Sequence, residues 1–261
     1  MNPRVLECGR PALPGERSIL GVNVLPMTQA EAVAFLAERI RARQFTKVAF
    51  LNAHVANLAT VDQAFRKALD DFVVFPDGLG VDIASSVLHG RPFPANLNGT
   101  DFVPAFIAAQ TEPLRIGLMG ATRANVVLAA AHLRTLAPQH EIVLVQDGYF
   151  SASDEPEILA RLEQVRPDVL LVAMGVPRQE IWIAEHLSAK HCTVALGVGA
   201  LLDFMSGTVP RAPLWLRRLG LEWLFRLFVE PMRLWRRYII GNPLFLMRVL
   251  GRRLSGGGSD R

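Results

Sequence analysis

Short apolar runs alternate along the chain with longer stretches in which apolar residues recur every three or four positions. The short runs are ILGVNV (19–24), KVAFLN (47–52), FVVF (72–75), LRIGLMG (114–120), EIVLVQ (141–146), DVLLVAMG (168–175) and TVALGVG (193–199). Each is aliphatic-rich and has Gly, Pro, Asn or Asp at its C-terminal side, the pattern of a buried strand. The stretches TQAEAVAFLAERIRAR (28–43), ATRANVVLAAAHLRTL (121–136) and EPEILARLEQV (155–165) have the helical period, and Thr28 with Glu31 has the spacing of a capping box. Repeated strand–helix units predict an α/β fold, a mostly parallel sheet flanked by helices. Ligands of such sheets sit beyond the C-terminal strand ends. Asn52, Asp77, Gly120, Gly175 and Gly199 all fall at those ends, which predicts a single cleft.

The pattern changes at Arg211. Residues 211–253 hold no strand-like run and predict short helices broken at Gly220, Pro231 and Gly241–Pro243. The expected organisation is a flexible leader (1–18), an α/β body (19–210), a helical C-terminal appendage (211–253) and a Gly/Ser-rich flexible tail (254–261).

Composition sharpens this division. Hydrophobic residues make up 51% of the 261, enough for a sizeable core. The net charge of +4 is unevenly placed: residues 211–253 carry ten arginines, no lysine and two acids, Glu222 and Glu230, so the body is acidic. An acidic body without a recognisable nucleic-acid module argues against nucleic acid as a partner. Cys8 and Cys192 are far apart and form no disulfide framework, which favours a reducing compartment. The leader lacks the apolar core of a signal peptide. No apolar run reaches the ~18–20 residues of a spanning helix.

Several constellations could carry chemistry. In FVVFPDGLGVD (72–82) a strand ends on Asp77, between Pro76 and Gly78; it is either a turn residue or an acid aimed into a cleft. Asp82, in the following helix, reads as structural. Asn52 and His54 lie just past another strand, and His54 is a candidate general base. Gly120 in GLMGATRAN opens a helix N-terminus suited to phosphate, without the full G-x-G-x-x-G fingerprint. In MGVPRQEIWI, Gly175 precedes Arg178, Gln179 and Glu180; Gln179 could read a nucleobase or sugar hydroxyl, or all three could simply be solvated. Asp203, in the apolar stretch after Gly199, needs a partner and could bind a sugar hydroxyl. Thr100 or Asp101 is the expected N-cap of the helix after LNGTD. Arg226, Arg233 and Arg236–Arg237 share one helical face provided Pro231 does not break it, among Trp223, Phe225, Phe228, Trp235 and Tyr238. That mixture suits phosphate and a membrane interface. No metal-ligand spacing is present, and no cofactor is implied.

In series, LNAHVANLA, FPDGLGVD, LNGTDF, GLMGATRAN, MGVPRQEIWI, GVGALLDFMSGTVPRAP and LEWLFRLFVEPMRLWRRY resemble the WecG/TagA/CpsF family of bacterial glycosyltransferases over roughly residues 19–250. The NAHVAN and NGTDFVPA wording is most similar to a GumM-like exopolysaccharide branch. The resemblance implies a Rossmann-like body with a C-terminal appendage. It implies inverting, metal-independent transfer of a hexose or N-acetylhexosamine from a UDP-sugar to a polyprenyl-diphosphate-linked sugar, at the inner face of the cell membrane. It gives Asp77 the role of general base, Gln179 and Asp203 places around the nucleotide-sugar, and Arg226, Arg233 and Arg236 the diphosphate. Where many members carry Thr before the first Asn, this chain has Ala49, Phe50 and Leu51. Ala95 and Asn96 stand where many have Arg, and His54 replaces a common Pro. Two other classes compete: a Rossmann-type oxidoreductase or other nucleotide-binding enzyme, and a non-catalytic membrane-surface binding protein. Apolar surface on the appendage would also allow a homo-oligomer.

Overall fold

The computed structural model describes residues 13–218 and 220–256. Most of the expected leader, with Cys8, and the end of the expected tail lie outside these residues. In chain order the body contains β1 (Arg17–Ile19), β2 (Val22–Val24), α1 (Gln29–Arg41), β3 (Thr46–Leu51), α2 (Ala53–Val61), α3 (Gln63–Leu69), β4 (Phe72–Pro76) and α4 (Leu79–His89). It continues through α5 (Gly99–Ala109), β5 (Arg115–Gly120), α6 (Arg123–Leu136), β6 (Glu141–Gln146), α7 (Glu155–Val165), β7 (Val169–Ala173), α8 (Arg178–His186), β8 (Val194–Gly197) and α9 (Leu201–Met205).

Six strands form one Rossmann-like parallel sheet in the order β4-β3-β8-β7-β5-β6. The continuous apolar runs are the reason: β4, β7 and β8 are buried at every position, as strands covered on both faces must be. The run 19–24, expected as one strand, is instead the antiparallel hairpin β1–β2. Leu20 and Gly21 both take positive φ (50° and 90°), the backbone of a two-residue hairpin turn. Just beyond it, the Leu25 amide donates to the Val74 carbonyl (2.9 Å), covering the exposed edge of β4. The Thr28–Glu31 capping box forms as expected.

The two sheet faces hold separate cores. Leu36 of α1, Phe106 of α5, Ala129 of α6 and Leu202 of α9 pack with Val48 and Leu196 on one face. Val55 of α2, Phe65 of α3, Leu162 of α7 and Ile183 of α8 pack with Leu51 and Ala195 on the other.

Beyond Pro210 come α10 (Leu214–Arg218), α11 (Glu222–Val229), α12 (Pro231–Trp235), a π-helical turn (Arg236–Ile240) and α13 (Gly241–Gly256). The expected breaks occur at Gly220, where φ is 70°, and at Pro231. The expected break at Gly241–Pro243 does not. The wider π turn hands the chain directly to α13, and Pro243 falls in its first turn, where no amide is needed. Phe245 and Val249 of α13 are fully buried and belong to the same core as α2 and α8. Asn57 of α2 fixes the junction: its Nδ2 donates to the Gly241 carbonyl (2.7 Å), and Arg248 Nη1 donates to its Oδ1 (2.8 Å).

Candidate active site

All strands of the sheet point the same way, so their C-terminal ends share one rim. From β3 the chain turns into α2 on one face, while from neighbouring β8 it turns into α9 on the other. Chain departing to opposite faces leaves a crevice between adjacent strands. The β7–β5 boundary does the same, with α8 and α6 on opposite faces.

Asn52 and Asp77 meet at the rim. Asn52 is the N-cap of α2; its Oδ1 accepts from the amides of His54 and Val55 (both 3.1 Å). That commitment turns its Nδ2 outward, where it donates to Asp77 Oδ2 (3.0 Å). Asp77 follows β4 and is held by its own amide, which donates to the Leu51 carbonyl (2.8 Å). Gly78, with φ of 93°, lets the chain turn away into α4, and its amide donates to Asn96 Oδ1 (2.9 Å). Burial raises the Asp77 carboxyl above the ordinary range, opposed by the Asn52 bond and the charges of Arg237 and Arg226; nearby Asp101 adds to the rise. A half-buried carboxyl of this kind is a proton acceptor with one side braced and the other free. Asp82 is displaced from this site: it lies in α4, with its own carboxyl raised by burial.

His54, in the first turn of α2, is pushed down to about 4 by burial and by Arg237. It is neutral at pH 7. Gly120, Gly175 and Gly199 line the rim at β5, β7 and β8 with φ of 118°, 79° and 56°. Gly120 is needed for packing, since a Cβ there would collide with the Ala173 backbone; Gly175 and Gly199 have open space beside them. Gln179 is buried, not solvated. Its Oε1 accepts from the amides of Gly175 (3.2 Å) and Gly199 (3.0 Å), and its Nε2 donates to Glu180 Oε1 (2.7 Å). Glu180 is also buried, and burial raises it to about 7. Arg178 reaches the Gly148 carbonyl (3.0 Å) and stacks on Phe150. Asp203 accepts from Asn125 Nδ2 (2.7 Å), tying α9 to α6.

The N-cap of α5 is Asn98, not Thr100 or Asp101: its Oδ1 accepts from the Asp101 amide (2.9 Å) and the Thr100 hydroxyl (2.7 Å). Asp101 is thereby free to accept from Arg211 Nη2 (2.9 Å) and Arg217 Nη1 (2.7 Å). These bonds lash the start of the appendage across the rim.

The appendage brings its arginines in from several elements, because the chain breaks at Glu230–Pro231 and no single helical face exists. Arg226 of α11 lies over the Phe204 ring (5.2 Å), and its charge reaches Asp77. Arg233 is exposed and pairs with Glu230 (2.8 Å). Arg236 is exposed and stacks on Trp235 (5.3 Å). Its neighbour Arg237 turns inward instead: burial lowers its pKa, with Arg226 and Arg233 acting the same way and Tyr238 and Asp77 opposing. Among the described residues the buried Nε atoms of Arg211, Arg217, Arg226 and Arg237 have no hydrogen-bond partner. Glu222 joins them: burial raises its carboxyl, Arg211 and Arg226 lower it, and Asp101 and Asp77 raise it. Sequence reading gave no site role to Glu222, Arg211 or Arg217, and noted Asn96 only as a departure from the family pattern. For Glu222, its place as one of only two acids in the arginine-rich stretch 211–253 was the available sign. No group of three His, Cys, Asp or Glu among the described residues is placed to hold a metal ion.

The family model described as "Glycosyl transferase WecG/TagA/CpsF family" matches residues 17–258, almost the whole chain. The chain belongs to that family. A relative from Bacillus spizizenii is 32% identical over 181 residues, covering 69% of this chain and 68% of its own length. One from Staphylococcus aureus is 30% identical over 236 residues, 88% of this chain and 91% of its own. Both are named N-acetylglucosaminyldiphosphoundecaprenol N-acetyl-beta-D-mannosaminyltransferase, as is one from Bacillus subtilis at 29% identity over 205 residues. As a member of the WecG/TagA/CpsF family the chain is a glycosyltransferase. Membership removes the oxidoreductase and the purely binding readings.

Proposed function

We propose that the chain transfers a hexose or N-acetylhexosamine, with inversion, from a UDP-sugar to a polyprenyl-diphosphate-linked sugar during surface polysaccharide synthesis. The observation that carries this reading is the placement of Arg226 and Arg237, whose charges reach the Asn52-braced Asp77 and whose buried Nε donors have no hydrogen-bond partner among the described residues. Asp77 takes the proton of the acceptor hydroxyl as its oxygen bonds to the anomeric carbon, and UDP leaves from the opposite side. Negative charge growing on the departing diphosphate meets the unpaired guanidiniums, so the step runs without a metal. His54, pushed down to about 4, has lost the advantage in basicity that an ordinary imidazole holds over a carboxylate, so this reading keeps Asp77 as the proton acceptor. Gly120, Gly175, Gly199, Gln179, Asp203, Thr100 and Asp101 frame the nucleotide-sugar, and Arg233 and Arg236 await the acceptor's diphosphate.

The appendage supports a peripheral seat on the inner face of the membrane. No described helix is long and apolar enough to cross a bilayer. Phe228 and Met232 nevertheless stand 77% and 87% exposed, Trp215, Trp235 and Ile239 are exposed in the same segment, and Arg226 and Arg233 lie close to the first two in sequence. Apolar side chains fringed by arginine suit anionic headgroups. The NAHVAN wording and the pocket departures at Ala49–Leu51 and Asn96 support an exopolysaccharide role and keep plain hexoses among the donors.

The test is a panel of UDP-sugars, UDP-glucose and UDP-N-acetylmannosamine among them, with a short prenyl-diphosphate-linked sugar acceptor and EDTA present. Product linkage is read by NMR. Asp77→Asn should lower turnover by about 10²–10⁴-fold while UDP-sugar binding persists. Wild-type turnover in that variant would sink the base assignment, and abolition by EDTA would sink metal independence.

A further inference from the structure

Glu180 has an arrangement that packing alone does not explain. It sits in the first turn of α8, 2% exposed, with one carboxyl oxygen accepting from Gln179 and the other, Oε2, without a hydrogen-bond partner among the described residues. A buried carboxyl with an unpaired oxygen is unfavourable, and an apolar side chain of the same size would fill the space at lower cost. The fold makes room for it all the same. Gly197, the last residue of β8, faces the pair, and a Cβ there would stand 3.0 Å from Gln179 Nε2 and 3.3 Å from Glu180 Oε1.

The Glu180 acceptor determines which way the Gln179 amide faces. With Nε2 drawn to Glu180, Oε1 must face the rim, and there it takes the amides of Gly175 and Gly199 together. Those amides begin the loops that leave β7 and β8, two neighbouring strands. The Gln179 backbone closes the ring by donating to the Gly175 carbonyl (3.0 Å). Gly175 and Gly199 are also the rim glycines with open space at the Cβ position.

We propose that Glu180 is a positioning residue for the donor site: acting through Gln179, it locks the β7 and β8 loops in one register so that the nucleotide-sugar meets a preformed wall. The proposal rests on the reading that this cleft takes a UDP-sugar. Glu180 touches no reactant; its effect is on donor binding, not on proton transfer.

Three variants and two readouts test it. Glu180→Leu removes the acceptor at similar volume, Glu180→Gln restores an acceptor oxygen, and Gly197→Ala disturbs the pair from the strand side. Hydrogen exchange on peptides containing Gly175 and Gly199 reports the clamp without any ligand. In Glu180→Leu and Gly197→Ala exchange there should quicken, and KM for the UDP-sugar should rise about tenfold with kcat within about threefold, the loss of one buried hydrogen bond. Glu180→Gln should restore both to within about twofold of wild type. Unchanged exchange in Glu180→Leu would overturn the clamp. Equal impairment in Glu180→Gln and Glu180→Leu would overturn the acceptor role. Quickened exchange in Glu180→Leu, alongside a wild-type protein that binds no UDP-sugar, would overturn the donor assignment of the cleft while supporting the clamp itself.

Discussion

On the body side of the cleft, Asn52 uses both ends of its amide, Asp77 is held by side chain and backbone, and Gln179 satisfies two loop amides at once. On the appendage side, four buried arginine Nε atoms have no hydrogen-bond partner among the described residues, and Phe228 and Met232 face solvent. The first set of groups is matched within the body, whereas the second leaves donors over. Satisfied polar networks fix geometry, whereas a buried donor without an acceptor costs stability until one arrives. On the proposed reading, the body sets the geometry of attack and the appendage neutralises charge.

The largest effect expected from breaking this contrast lies where the two regions join. Phe245 of α13 is buried against the α2–α4 side, so Phe245→Ala should lower unfolding free energy by about 3–5 kcal/mol, read by denaturant titration. A change confined to activity, with stability intact, would make α13 a mere accessory. Arg237→Met comes next. It should reduce turnover about 10–100-fold, as expected for a lost charge-assisted hydrogen bond, yet leave thermal stability equal or higher because an unpaired buried charge is gone. Simultaneous loss of stability and turnover would show that Arg237 is already paired within the fold.

Glu180 sharpens the comparison through pH. Its folded carboxyl titrates near 7, above the unfolded value, so the unfolded chain gives up its proton first as pH rises. Stability should therefore fall as pH climbs from the ordinary carboxylate range to about 7, and melting curves of Glu180→Gln should lack that descent. Parallel pH profiles for the two proteins would remove Glu180 as the source. The smallest effect belongs to Asp101, whose contacts with Arg211 and Arg217 are half-exposed. Asp101→Asn should cost about 0–1 kcal/mol and make the 211–217 segment more susceptible to limited proteolysis.

The sheet was legible because strands buried on both faces write themselves as unbroken apolar runs, and Asp77 stood out because a Pro–Asp–Gly turn closes one of them. The hairpin at Leu20–Gly21 was not, since only one of its two positive-φ residues is glycine. Asn98 capping α5 was obscured by equally good candidates two and three residues later. Arg211 and Arg217 were beyond local reading altogether, since their partner Asp101 lies more than a hundred residues away in the chain. Arg237 was visible as half of a pair, but which half faces inward is set by the π turn, a feature that period counting does not anticipate. Gln179 was recognised as polar and well placed, while its commitment to two backbone amides depends on β8 returning beside β7.

The anchoring of α13 beside Asn57 also dictates how the enzyme can be taken apart. A truncation that stops at Pro210 strips a wall from the hydrophobic core along with the strap over the rim, because Phe245 and Val249 leave with it. Lid and buttress are separable only by internal surgery: residues 211–235 replaced by a short flexible linker, with α13 left seated on α2. Such a spliced protein keeps the braced Asp77 and loses Arg226, and it offers the catalytic body in isolation for crystallisation and for inhibitor screening.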